Sequence, residues 1–302
     1  MTQHLKDNII QKAWDIVQED SKIKKFYFIP GLISIIFLTI ILVYQTIYTY
    51  VVFFNQQDKA LNIILNVVHS AYIKEVLIWW WIFLLIYILL IPLCEWTLIW
   101  YISKKADNEY VSVTDSFWNW LYKFLPFFEY SNLFSQFKFI SIVNMYLFCL
   151  RFVWLDYISL VNWIFLFLLF ISTIINILFA YSRYEIILNN KKALESIATS
   201  VKIAILNFWT TTKLYFFMFL VSLRVIINFI VFLVFPILIV SAITYITSKI
   251  FLIITIIIFS LIFLFLIIIL WYMWWVLDIF KLSIRYFAYI EWKKKLAEVE
   301  KE

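Results

Sequence analysis

Residues 250–276 read IFLIITIIIFSLIFLFLIIILWYMWWV, twenty-seven positions without one Asp, Glu, Lys, Arg or His. A hydrocarbon layer about 30 Å thick is crossed by roughly 20 helical residues. This stretch therefore predicts a transmembrane helix. Working outward, five further stretches have the same character: 26–52, 76–102, 139–155, 163–181 and 214–243, the last with Pro236 as a kink or end. No alternating ten-residue strands occur, so the spans are helical. The predicted fold class is an all-α polytopic membrane protein with six transmembrane helices arranged as three hairpins.

Composition agrees. Of 302 residues, 65% are hydrophobic and 15% charged, and the mean hydropathy is +0.94. Soluble domains carry roughly 25% charged residues, and no soluble core hides this much apolar surface. Soluble globular and disordered classes are both excluded. The N-terminus does not read as a signal peptide, because a polar segment of 25 residues precedes the first apolar run.

The basic residues set the orientation. Twenty Lys and Arg fall before span one, between spans two and three, between four and five, and after span six; Lys59, Lys74 and Lys249 alone fall on the opposite side. The positive-inside rule places both termini in the cytoplasm, and the localisation expected is the cytoplasmic membrane. The net charge of +6 is then a topology signal and not a nucleic-acid footprint.

A threefold pattern underlies the spans. An amphipathic segment precedes each odd-numbered span, with stripes Leu5, Ile9, Ala13, Ile16, Val17; Phe117, Trp120, Leu121, Phe124, Leu125, Phe128; and Ala193, Ile197, Val201, Ala204, Ile205, Phe208. All follow i, i+3, i+4 spacing. Such helices either lie at the headgroup boundary, lysines toward anionic lipid, or pack on the ends of the spans. Met145–Arg151 (MYLFCLR) resembles Met218–Arg224 (MFLVSLR), each ending in an intramembrane arginine. The chain reads as one membrane domain, 1–302, with pseudo-repeats at about 1–102, 103–183 and 184–285 and a charged tail at 286–302.

The opening Ile10–Val17 (IQKAWDIV), leading through Lys22, Lys24 and Lys25 into span one, resembles the start of several bacterial six-span families. So do Ala193–Ser196 (ALES) and Asn207–Trp209 (NFW) before span five. The nearest is the membrane domain found beside glycerophosphodiester phosphodiesterases. That resemblance implies a shared six-span architecture. It implies no activity, since the soluble catalytic domain of those enzymes has no counterpart in this sequence.

Ionisable groups inside a membrane are costly and are candidates for function. Four stand out: Arg151 and Arg224 deep in spans three and five, Glu95 in span two, and Asp278 at the end of span six. Glu95 is the expected partner of Arg151 or Arg224. One reading is an ion pair that locks hairpins together; the other is a pocket for an anion or lipid phosphate, which the guanidinium fork suits. Asp156 is expected at the outer interface. The outer segment 54–75 reads as a surface helix with Leu61, Ile64, Val68, Ala71 and Tyr72 on one face. Trp100, Tyr101, Trp271 and Tyr272 fit an interfacial aromatic belt. Cys94 and Cys149 read as buried thiols. His4 and His69 stand apart, so no metal site and no cofactor is expected.

The function predicted is non-catalytic: binding of lipid, anionic lipid in particular, or of a membrane partner through the interfacial helices. The alternative is a permease-like subunit whose arginines line a path. The near absence of glycine excludes Walker-A, dinucleotide-binding and K⁺-filter loops. An enzyme would need a nucleophile–base pair, and none is recognisable.

One glycine and fifteen tryptophans invert ordinary usage. Some bacterial lineages read UGA as glycine, while the commonest alternative code reads it as tryptophan. A UGA-glycine gene translated with the wrong table would give this inversion, and restoring the glycines would bring them to about 5% of the chain, near the average of about 7%. Trp79–Trp81, Trp209, Trp274, Trp275 and Trp292 suit that reading. A chain rich in genuine interfacial tryptophan accounts for Trp100 and Trp271, but not for the missing glycines.

Overall fold

The computed structural model describes residues 6–19, 72–109, 112–135, 137, 139–152, 157–243 and 249–301, with positions 23–24, 28–33, 36, 62, 66 and 69. Expected span one and the outer helix at 54–75 lie mainly outside the described residues, as do Leu5 and Asp156. A π-helical turn Lys6–Gln11 runs into α1 (Lys12–Glu19). There follow α2 (Ile73–Ala106), α3 (Val113–Ser135), α4 (Phe139–Phe152), α5 (Ile158–Leu178), α6 (Ser182–Asn189), α7 (Ala193–Leu206), α8 (Phe208–Ile243) and α9 (Lys249–Val299). No strand occurs among the described residues.

Among the described residues, four helical segments are long and apolar enough to cross a membrane: Ile73–Ala106, Ile158–Asn189, Phe208–Asn228 and Ile253–Val299. They correspond to expected spans two, four, five and six. The most apolar part of α2 is only 6% buried, and that of α9 only 7%. Surfaces so apolar and so open require a lipid solvent, and a helix is the form that satisfies every backbone group there. The protein is a multi-pass membrane protein. Expected span three is described only over α4, 14 residues or about 21 Å; its remaining positions, 153–155, lie outside the described residues. Pro236 does not end the fifth span, because α8 continues to Ile243.

The tight packing lies elsewhere, at the lysine-rich ends of the helices. There Trp96, Leu98, Ile99 and Ile102 of α2 meet Phe127 and Tyr130 of α3, Tyr184 and Ile187 of α6, Ile203 and Ala204 of α7, and Ile279 through Trp292 of α9 in one buried cluster. Trp96 packs edge-on against Phe127 with ring centroids 5.4 Å apart, a geometry that contributes about 0.5–1.5 kcal/mol beyond area burial.

The three amphipathic segments pack into this layer, each on its own terms. In the first, Ile9, Ala13 and Val17 are buried as expected, and Trp14 sits edge-on to Phe280 of α9. In α3 the packed face is Phe127 and Tyr130, flanked by Phe124 and Phe134, while Leu125 points out; the side chains of Phe117, Trp120 and Leu121 lie outside what is described. In α7 the buried face is Ser196, Ser200, Ile203 and Ala204, and Ile205 is exposed. The α7 face is therefore rotated from the apolar stripe. The reason is hydrogen bonding: Ser200 Oγ donates to Leu178 O (2.8 Å) and accepts from Tyr181 N–H (3.0 Å), satisfying the backbone at the α5–α6 break.

Two left-handed residues shape the same layer. Asn108 (φ 59°) follows α2, with Glu109 N–H bonded to Lys104 O, and Asn190 (φ 55°) ends α6. Asparagine is the commonest substitute for glycine at such helix ends.

Candidate functional site: a buried charge layer

The polar groups of this layer form three linked arrangements. The first joins spans. Glu95, two turns from the lysine-rich end of α2, forms an ion pair with Arg183 on α6. Both side chains are largely buried, so the pair holds α2 against the end of α5–α6. The expected partners were Arg151 and Arg224. Arg224 is exposed on α8, and Arg151 occupies the last turn of α4, its side chain outside what is described. Asp278 pairs within its own helix with Lys281 at 3.6 Å. Of the four predicted candidates, then, Glu95 and Asp278 are in ion pairs at this end of the bundle. The structure does not bring Glu95 to Arg224.

The second arrangement surrounds Glu185, whose side chain is fully buried. Its carboxylate accepts from Tyr289 Oη (2.8 Å) and Asn189 Nδ2 (3.1 Å), and pairs with Lys191 (3.0 Å) and Lys293 (3.1 Å). A carboxylate removed from water needs this degree of compensation. The four partners come from α6, the α6–α7 connection and α9, so one buried charge ties three segments.

The third is Arg285 of α9. Its Nε is buried without a hydrogen-bond partner among the described residues. Tyr215 lies 5.1 Å from it in cation–π contact, and the hydroxyls of Tyr130, Tyr181 and Tyr184 are within electrostatic reach. Each hydroxyl gives its proton away: Tyr130 to Phe179 O (3.0 Å), Tyr184 to Leu282 O (2.9 Å), Tyr215 to Asn176 O (2.8 Å) and Tyr181 to Thr211 Oγ1 (3.3 Å). The contact that geometry gives the guanidinium is the Tyr215 ring face, whose quadrupole attracts a cation. Burial, with the Tyr215 hydroxyl next in effect, holds the Tyr130 phenol above its ordinary pKa, so it remains a neutral donor.

The expected aromatic belt is partly interior. Tyr101 is buried, and Trp271 and Trp275 stack on each other beside Phe28. Trp100 lies under the Lys104 ammonium, 5.8 Å away. Arg183, Arg285 and Lys293 enter the sequence reading only as flanking basic charges, and Glu185 does not enter it. A signal was present: Ser182-Arg-Tyr-Glu185 follows an apolar run directly, and Ser283-Ile-Arg-Tyr286 repeats the Arg-Tyr pair on α9.

Cavities among the described residues open on this layer. One, of 350 Å³, lies between α1 and Phe280. Another, of 220 Å³, lies between α7 and the far end of α9 and is lined by Lys191, Thr199, Lys202, Lys293, Leu296, Ala297 and Glu300.

No protein-family model, no curated protein and no solved structure matches this chain.

Proposed function

We propose that this chain is a non-catalytic, six-span protein of a bacterial cytoplasmic membrane, with both termini inside, that binds anionic lipid through its lysine-rich layer. The observation that supports this is the division of the molecule into open apolar spans and one tightly packed, basic layer at their ends. The spans offer little but lipid-facing surface. The layer holds buried ion pairs, fixed lysines and exposed apolar residues such as Ile205, Leu206, Phe208 and Trp209 at the point where α7 becomes α8. Apolar side chains at the membrane edge beside lysines are what an anionic surface attracts. The six-span, three-hairpin layout and the kinship with membrane domains found beside glycerophosphodiester phosphodiesterases belong to this proposal; α4 packs along α5, and α8 along α9, as hairpins would.

The permease alternative needs a polar route reaching Arg151 and Arg224. Arg224 lies exposed on α8, which lends that route no support. The test is native mass spectrometry of the purified protein with phosphatidylglycerol and phosphatidylcholine. Preferential retention of phosphatidylglycerol is expected. Equal retention overturns the reading, and anion uptake into protein-containing liposomes would favour the permease.

A further inference from the structure

We infer that the groove between α7 and the end of α9 is a binding site for a phosphate group. The inference deepens the anionic-lipid reading, and where the phosphate belongs to a headgroup it rests on that reading. The 220 Å³ cavity has three ammonium groups in its wall, from Lys191, Lys202 and Lys293. Its volume equals about seven waters at roughly 30 Å³ each, room for a phosphate and part of what it esterifies.

Two of the lysines are fixed in place. Glu185 lies fully buried beneath them and takes both, at 3.0 and 3.1 Å. Lys191 also donates to Thr199 Oγ1 (2.9 Å), and Lys293 to Tyr289 Oη (2.9 Å). An ammonium has three N–H donors; each of these has engaged two, and one remains on each for a ligand. Holding two cations at set positions before the ligand arrives removes much of the ordering cost of binding. Lys202 differs. It is 65% exposed, and its one partner among the described residues is Glu300 on the rim, at a long 3.4 Å. An incoming phosphate would replace Glu300 there with a group of greater charge and three acceptor oxygens. The wall carries three lysines, the displaceable Glu300 carboxylate, the Thr199 hydroxyl, whose proton goes to Glu195 O, and only Leu296 and Ala297 as apolar contacts, which fits a compact anion of higher charge than a carboxylate.

The experiment uses the full chain in phosphatidylcholine nanodiscs, with inorganic phosphate in solution in one arm and phosphatidic acid in the disc in the other, and reads the shift in melting temperature. Stabilisation by phosphatidic acid alone identifies a headgroup; stabilisation by inorganic phosphate identifies a solute phosphate. Two rim variants avoid the buried carboxylate. Lys202→Gln is expected to weaken the apparent affinity about fivefold, the worth of one lysine near a charged surface, and Glu300→Gln to tighten it. Absence of any shift in both arms, or a shift that neither variant moves, overturns the site. Loss of phosphatidylglycerol preference with the variant-sensitive phosphate shift intact would instead remove the lipid reading and leave the groove.

Discussion

At the scale of single residues, the Glu95–Arg183 pair is where the largest stability effects belong. Breaking a largely buried ion pair by removing one partner costs about 3–5 kcal/mol. Glu95→Gln and Arg183→Gln are each expected to lower the melting temperature markedly, whereas the double replacement Glu95→Met with Arg183→Met recovers most of the loss; a double-mutant cycle measured by thermal unfolding checks this. Arg224→Leu, at an exposed position on a span, is expected to cost nothing measurable in the same assay. Of the charges in this layer, Glu95 was legible as costly from its depth in an apolar run, but its partner was not. Pairing depends on helix rotation and on which helix ends meet, and Arg183 stands 88 positions further along the chain. The tryptophans raise a separate question of residue identity. Indole N–H groups that are buried normally find acceptors, yet those of Trp96, Trp271 and Trp275 have none among the described residues. Gly31 stands 3.2 Å, measured from its would-be Cβ, from Trp275 Cβ. Both features suit smaller residues at these sites, although the two left-handed positions are asparagines and not tryptophans. UGA codons at most of the fifteen positions, in a lineage that reads UGA as glycine, are the expected result of sequencing the gene. UGG codons, or an intact mass of 36.7 kDa from the native host, end the idea.

At the scale of elements, each amphipathic segment was visible from its period, while the face it buries was only partly so. Of the α1 stripe, Ile9, Ala13 and Val17 are buried and Ile16 partly so, with no polar competitor among them, while Leu5 lies outside the described residues. In α7 a serine face is buried, because the α5–α6 break presents the Tyr181 N–H and the Leu178 carbonyl, and the Ser200 hydroxyl serves both together. Ser200→Ala is therefore expected to cost about 1–3 kcal/mol, the penalty of orphaned buried groups. Ile205→Ser, on the apolar stripe read from sequence but exposed, should leave unfolding unchanged. Chemical denaturation in detergent separates the two. Val17→Asp is expected to detach α1 from α9 and open the N-terminal segment to limited proteolysis, the rest of the chain remaining intact.

At the scale of the whole molecule, membrane residence was plain from composition, because nothing but lipid accommodates surfaces as apolar as α2 and α9. Where the core would sit was not legible: side chains that read as flanking polar sequence build the packed layer, and no hydropathy profile distinguishes a solvated lysine from one bound to a buried carboxylate. Reporter fusions at residues 65 and 190 are expected to report opposite sides of the membrane; matching signals would sink the proposed topology. The length of α9 has a mechanical consequence. Its 51 residues make a continuous rod of about 77 Å without glycine or proline, and Lys293 stands about 25 Å along it beyond position 276, where the apolar stretch ends. Helices accommodate bilayers of different thickness by tilting, over a range of about 0–40°. A lever arm of that length converts a change of ~10° into ~4 Å of travel at Lys293, more than the 3.1 Å that separates it from Glu185. A bilayer whose thickness tilts α9 therefore loads the Lys293–Glu185 contact, and a melting temperature that differs between nanodiscs of short- and long-chain phosphatidylcholine is the expected result.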